Sequence, residues 1–348
     1  MSTNPATSPS QSPSNKTARK SAKRSRGGMP RVAVVGAGAW GKNLVKNFSD
    51  LGALSAVVDP DEKIRAGVEQ NYAGVTTFAD FADALASDAV DAVAIASPVP
   101  MHFPMARDAL NAGKDVFVEK PLTHTSADAE TLADIAEQQG RILMAGHLLL
   151  YQPAIRWIKD YIDRGELGEL YGIRHERLGL GRARPVENVL WDSGVHDMAV
   201  LLFLVGEQPG KVRASGHTIL QPGIEDDVHV HLEFPNGMRA NLHTSWLWPE
   251  TMRRLIVRGS KGMLLYDEVA QIVTLHRKWI SKDLQNCDEG SEVVYHGHGA
   301  PLRLECEHFL DRIRDRLPPL SDGRSAVEVI KVMETVSTML EKSKNEAV

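Results

Sequence analysis

Arg31 to Val35 (RVAVV) is a short β-branched apolar run that ends in Gly36-Ala37-Gly38-Ala39-Trp40-Gly41, and Leu44, Val45, Phe48 and Leu51 then recur at helical spacing until Gly52. Few local patterns restrict a chain more, because strand, glycine turn and helix must follow one another with no spare residue. Gly36 permits the tight turn, Gly38 lets backbone approach a pyrophosphate with no side chain between, and Gly41 allows the helix to lie close on the strand. With Ala39 and Trp40 they set a helix N-terminus, and its free N–H groups, against an anion. A second run, Ser55 to Val58, ends in Asp59. At that spacing a carboxylate accepts hydrogen bonds from an adenosine ribose and repels a 2′-phosphate, so NAD is expected over NADP.

The alternation of strand and helix continues. Val90 to Ala96 reads as a buried strand, Pro104 opens a helix ending at Gly113, Asp115 to Val118 is a strand, Ser126 caps a helix to Gly140, and Ile142 to Leu148 closes the series. A doubly wound parallel sheet of the Rossmann type is therefore expected over 30–150. Its ligands should lie off the carboxyl ends of the strands, which brings Ser97-Pro98, Glu119-Lys120-Pro121 and His147 to the crevice.

Beyond Tyr151 the period changes. One amphipathic helix, Ala154 to Arg164, precedes strand-like runs at Tyr171–Leu180, Lys211–Leu220, Val228–Phe234, Met238–Ser245, Arg254–Arg258, Gly262–Tyr266 and Gln271–His276; Met198 to Val205 is apolar enough for a core helix. Asn236-Gly237 signals a hairpin between two of the strands. Helices at Leu302–Leu317 and Ser325–Glu341 follow, so residues 151–348 are expected to form an α+β domain around a large, mostly antiparallel open sheet. An exposed face on that sheet predicts a homodimer or homotetramer.

Composition narrows the class further. With 43% hydrophobic and 24% charged residues the chain has the balance of a soluble globular protein, and no apolar run approaches the roughly 18 residues of a membrane span. Two cysteines, Cys287 and Cys306, are too few for a disulfide framework, which points to the cytoplasm. Residues 1–29 carry Lys16, Arg19, Lys20, Lys23, Arg24 and Arg26 among Ser, Thr, Pro and Asn, with no acidic residue, and read as a disordered tail. They lack the apolar or amphipathic stretch of a targeting peptide, and Met29 is an alternative start. The rest of the chain is more acidic than the overall −5, so nucleic acid is not an expected partner.

An N-terminal NAD fold, a Glu-Lys-Pro ending its fifth strand and a large open sheet behind it resemble the glucose-fructose oxidoreductase, inositol dehydrogenase and MocA family over about residues 30 to 345. The glycine turn, Ser97-Pro98 followed by His102, Glu119-Lys120-Pro121 and Asp192-x-x-x-His196 match that family's motifs, with Ser97 in place of a more usual Thr. Gly146 to Tyr151, Arg177 to Arg184 and Trp191 to Asp197 look more like the branch that oxidises nucleotide-linked sugars, such as UDP-N-acetylglucosamine 3-dehydrogenases. The resemblance implies an NAD-dependent dehydrogenase acting on a ring hydroxyl. Inositol or free-sugar oxidation, and a non-catalytic dinucleotide-sensing regulator, are the alternatives.

Oxidising a secondary alcohol needs a base for the hydroxyl proton and a cation for the developing alkoxide. Lys120 is the expected cation, its pKa lowered by burial and a nearby nicotinamide, and His196 is the natural proton acceptor; which of the two is the base is open. Asp192, four residues before His196, is placed to orient the imidazole if the segment is helical. His102 reads as structural or cofactor-binding. Arg177, Arg182 and Arg184 are candidates for holding a diphosphate, or are solvated sheet edge. His147 and Tyr151 are candidates for bonding sugar hydroxyls, and Trp191 for covering the ring face. Among thirteen histidines, His229, His231 and His243 invite a metal reading. A two-residue turn at Asn236-Gly237 pairs Val230 with His243 and puts His243 on the opposite face, whereas a longer turn would bring them together. His296-x-His298 falls in a Gly-rich loop. No metal is expected.

Overall fold

The structure, a computed structural model, describes residues 28–346 apart from positions 182 and 298. Arg182, His298 and nearly all of the basic tail therefore lie outside the described residues.

The first sheet follows from short apolar strands buried on both faces. Val32–Val35 (β1), Leu54–Val58 (β2), Thr76–Phe78 (β3), Ala92–Ile95 (β4), Asp115–Glu119 (β5) and Leu143–Gly146 (β6) pair in parallel in the order β3-β2-β1-β4-β5-β6. Helices Gly41–Asp50 (α1), Glu62–Asn71 (α2), Phe81–Ala86 (α3), His102–Asn111 (α4) and Ser126–Gln139 (α5) fill the connections. The order reverses between β1 and β4, which opens a crevice above their carboxyl ends. Thr125, not Ser126, caps α5: its side chain accepts the Asp128 N–H at 3.1 Å. The α4 helix starts two residues before Pro104, at His102.

The second sheet has eight strands: Leu170–Leu178 (β7), Lys211–His217 (β8), Asp227–Glu233 (β9), Arg239–Ser245 (β10), Met252–Gly259 (β11), Gly262–Asp267 (β12), Ile272–Ile280 (β13) and Asn286–His296 (β14). Their order is β14-β13-β12-β11-β7-β10-β9-β8, antiparallel throughout except between β7 and β10. One face packs on Pro153–Asp163 (α6) and Val195–Val205 (α7). The α7 helix is apolar nearly all round because it is enclosed nearly all round, by β7, β10, α6 and the last helix. His296, expected in a loop, is the last residue of β14 and pairs with Ile272. That polar, exposed edge strand carries no alternation by which its sequence would announce it.

Pro301–Asp315 (α8) and Gly323–Glu346 (α9) return to the first sheet. Phe309 of α8 meets Phe48 and Phe117 with ring centroids 6.4 and 5.8 Å apart, and α9 lies on both α5 and β8. These two helices thus bind the two sheets into one body around the crevice. Among the described residues no helix is long and apolar enough to cross a membrane.

The β9–β10 hairpin corrects the expected register. Phe234 and Met238 close the turn, with the Phe234 N–H bonded to the Met238 carbonyl at 2.9 Å, so the loop holds three residues, Pro235, Asn236 and Gly237. Gly237 takes φ +84°, the left-handed residue such a loop needs. His243 consequently pairs with His229, not with Val230 beside it, and both rings stand on the same face of the sheet.

Candidate active site

The glycine turn has the geometry of a phosphate cradle. Gly36 sits at φ +83°, and a Cβ on Gly41 would come within 1.8 Å of the Gly36 carbonyl oxygen, so α1 could not lie where it does with any other residue. A Cβ on Gly38, in contrast, would meet nothing within 4 Å; the space over it is open. Helices α2, α3 and α5 have side-chain caps from Asp61, Asp80 and Thr125, whereas α1, like α4, has none. The Lys42 and Asn43 N–H groups of α1 bond the Gly38 and Trp40 carbonyls, and no side chain caps the helix start where a ligand would approach. Asp59, ending β2, is buried and accepts the Ala37 N–H at 2.8 Å and the Asp61 N–H at 2.9 Å, which fixes its carboxylate beside the turn. These residues fit a dinucleotide.

From there the crevice widens into a cavity of about 760 Å³ between the two sheets. The ends of β4 and β5 supply Ser97, Glu119 and Lys120; α7 supplies His196; the segment before it supplies Asp192 and Ser193; the second sheet supplies Arg177, Leu178, Arg253 and Glu268. The Ser97 hydroxyl is buried without a partner. The Trp40 indole N–H donates to Glu119 at 2.5 Å, bridging the glycine turn to β5. Burial raises the Glu119 carboxyl above the usual range despite that bond and the Lys120 charge. His102 ties two crevice loops together, its ring nitrogens 2.8 Å from the Pro121 carbonyl and 2.9 Å from the Ser97 carbonyl, and burial lowers its pKa.

Lys120 and His196 face this one cavity. The Lys120 ammonium donates to the Asp192 backbone carbonyl at 2.6 Å, and burial lowers its pKa while the Asp192, Glu187 and Glu119 charges oppose the shift. His196 has an unpartnered Nδ1, and burial, then the charges of Lys120 and Arg177, depress its pKa well below 6.5. The Asp192 carboxylate does not orient this ring. It accepts from Arg184 Nε at 3.0 Å and from the Ser193 hydroxyl at 3.3 Å. Leu190–Gly194 is a π-helical turn, and its wider winding takes Asp192 off the face that an α-helix would share with His196.

Several expected substrate residues stand elsewhere. Arg177 is committed to two carboxylates, with Nε 2.8 and 2.9 Å from the Asp197 oxygens and Nη2 2.8 Å from Glu268; burial works against its charge, but those partners outweigh it. It is a neutralised pillar of the cavity wall, not a free diphosphate clamp. Tyr151 is fully buried, its hydroxyl 2.9 Å from that of Ser321, and cannot reach a sugar. His147 is buried behind the cavity wall with both ring nitrogens unpaired, its pKa pulled down to about 4 by burial and secondarily by Lys120. The Trp191 indole N–H donates to Ser337 at 3.0 Å and the ring packs into the core, so it covers no ligand. Arg184 does line the cavity. The expectations missed Asp197, which neighbours His196 in sequence, and Glu268, which stands alone after β12 with no motif around it.

Comparison with known proteins places the fold in a family. The family model described as the NAD-binding Rossmann fold of an oxidoreductase family matches residues 30–147, and the GFO/IDH/MocA C-terminal domain model matches residues 155–265. The chain belongs to the Gfo/Idh/MocA oxidoreductase family. Among its members, the UDP-N-acetylglucosamine 3-dehydrogenase of Acidithiobacillus ferrooxidans is 26% identical over 312 residues, 89% of this chain and 97% of that protein. The crystal structure of that enzyme superposes with a TM-score of 0.79 over 90% of this chain and 98% of its own. Inositol 2-dehydrogenase of Corynebacterium glutamicum is 30% identical over 217 residues, which span 60% of this chain and 64% of that enzyme. The 4-carboxy-2-hydroxymuconate-6-semialdehyde dehydrogenase of Sphingobium is 26% identical over 90% of this chain and 99% of its own. The cofactor of this Gfo/Idh/MocA member is NAD, for which the uncapped α1, the open space over Gly38 and the unpartnered Ser97 hydroxyl are suited.

Proposed function

We propose that the protein oxidises a ring hydroxyl of a nucleotide-linked sugar, with C3 of UDP-N-acetylglucosamine the leading substrate. The observation that carries the reading is that Lys120 and His196 open onto one cavity at the carboxyl ends of β4 and β5. When bound, NAD⁺ supplies the hydride acceptor. The Gly36–Gly41 turn and the start of α1 would hold its pyrophosphate, Asp59 its adenosine ribose, and Trp40, Ser97, Pro98 and Glu119 its nicotinamide half. Lys120 donates a charge-assisted hydrogen bond to the substrate oxygen and stabilises the alkoxide as it develops. His196, held neutral by burial and lining the cavity, takes the hydroxyl proton.

The full-length match to the UDP-sugar enzyme supports the nucleotide-linked substrate, and so does the size of the cavity, which has room beyond one ring and carries Arg184 and Arg253 on its wall. The partial match to inositol 2-dehydrogenase supports a free polyol as the second reading. A panel of UDP-sugars, free sugars and inositols, followed by NADH absorbance, separates them, because removing the UDP should cost a nucleotide-sugar enzyme much of its rate. Equal turnover of UDP-N-acetylglucosamine and free N-acetylglucosamine would overturn the first reading. Lys120→Ala should lower turnover by roughly a hundredfold or more with NAD affinity nearly intact; unchanged turnover would remove Lys120 from the chemistry.

A further inference from the structure

The corrected β9–β10 register assembles a group of side chains that the reaction does not use. On the sheet face away from the helices, Ser215, His229 and His243 form one cross-strand row, and His217, Asp227 and Ser245 the next. The helical side of the same strands is identified by Val228, Val230 and Leu242 in the core and by Gly216, where a Cβ would touch Leu340 of α9. The two imidazoles of His229 and His243 stack with centroids 3.7 Å apart and planes 18° from parallel. Both present Nε2 to the Asp227 carboxylate, His243 at 3.3 Å and His229 at 3.5 Å, and one ligand atom from each of the three lies within 4.8 Å of the others. His217 adds an Nδ1 4.0 Å from the same carboxylate. Of these residues Ser245 lines the catalytic cavity; Ser215, His217, Asp227, His229 and His243 do not.

We propose that Asp227, His229 and His243 bind a divalent transition-metal ion of the zinc type, with His217 the nearest further ligand. Bonds of about 2.0 Å in a tetrahedral site put ligand atoms about 3.3 Å apart, which is the separation already present between the carboxylate and each imidazole. Two imidazoles and one carboxylate select zinc, nickel, cobalt or copper over magnesium or calcium, which prefer oxygen. The side chains rise from paired positions on β9 and β10, with β8 alongside, so the donors are held by the ladder and little ordering accompanies binding. The T-shaped contact of Trp248 on His243, at 5.7 Å, fixes that ring further. An ion there ties the outer strands of the second sheet together, on side chains that do not themselves line the catalytic cavity.

The test uses the full chain without a polyhistidine tag, stripped with a chelator and titrated with Zn²⁺ by calorimetry, with Co²⁺ absorption as an independent readout of the ligand field. One saturable site per chain is expected, together with a rise in the melting temperature of the parent protein. Asp227→Asn and His243→Ala should each weaken binding by roughly a hundredfold. His229→Ala, at a more exposed position, keeps the test open if a buried change prevents folding. Absence of a saturable site, or full-strength binding retained by folded Asp227→Asn and His229→Ala proteins, would overturn the proposal and leave the cluster a hydrogen-bonded His–Asp network.

Discussion

His147→Leu is a test of the electrostatics behind the cavity wall. The parent ring is 2% exposed, neither nitrogen has a hydrogen-bond partner, and burial holds its pKa at about 4 against an ordinary 6.5. Below pH 6.5 the unfolded chain takes up a proton that the folded protein refuses. The stability from this residue is therefore complete above pH 6.5 and is lost as pH falls, until near pH 4 the native ring also protonates. Each pH unit of that window is worth about 1.4 kcal/mol for one proton, so His147 alone should remove about 3 kcal/mol from the unfolding free energy. Leucine nearly conserves the volume, does not titrate and leaves no buried polar atom unpaired. In urea unfolding the variant should be at least as stable as the parent at pH 7, and should lose stability less steeply on acidification, with a gap that widens by about 3 kcal/mol by pH 4. Parallel curves would refute a neutral, unpaired ring. A variant weaker than the parent at pH 7 would show that the ring's nitrogens are hydrogen-bonded in the fold.

Gly38→Ala should leave the melting temperature nearly unchanged while weakening NAD binding, because its Cβ meets only open space; Gly41→Ala, whose Cβ would collide with the Gly36 carbonyl, should lose stability by about 1–3 kcal/mol or more. Equal effects in calorimetry and cofactor titration would contradict the division of roles between these glycines. Asp59→Ala should relax the choice of NAD over NADP by about tenfold or more, measured as the ratio of kcat/KM for the two cofactors, and an unchanged ratio would exclude Asp59 from that choice. The pH profile of kcat/KM should have its acid limb below pH 6.5, since burial and neighbouring cations keep His196 neutral there, and its alkaline limb below 10.5, since burial lowers Lys120. The acid limb should vanish in His196→Asn; its persistence would point to another base.

Local pattern carried most of the first sheet and the cofactor cradle. The glycine turn, the acid ending β2 and the Glu-Lys-Pro ending β5 are each determined within a few residues, so strand, turn and helix could be placed by period alone. Parts whose signal is weak locally escaped: β3 is three residues long, and β14 is a polar edge strand that pairs without alternating. Lys120 and His196 were named separately by motif and chemistry, but a pattern along the chain contains no distance between positions 76 residues apart.

What only the tertiary structure decided is what each side chain faces. Arg177 is consumed by Asp197 and Glu268, Tyr151 by Ser321 and Trp191 by Ser337, partners drawn from elements that come together only in the packed fold. Asp192 left His196 because one turn winds as a π-helix, which no residue type there requires. His229 and His243 came together because a hairpin loop has three residues instead of two. In a sheet one residue of register reverses every side chain, so the sequence by itself determined that the two strands would pair, while the closed turn and the core on the other face determined which imidazoles would meet.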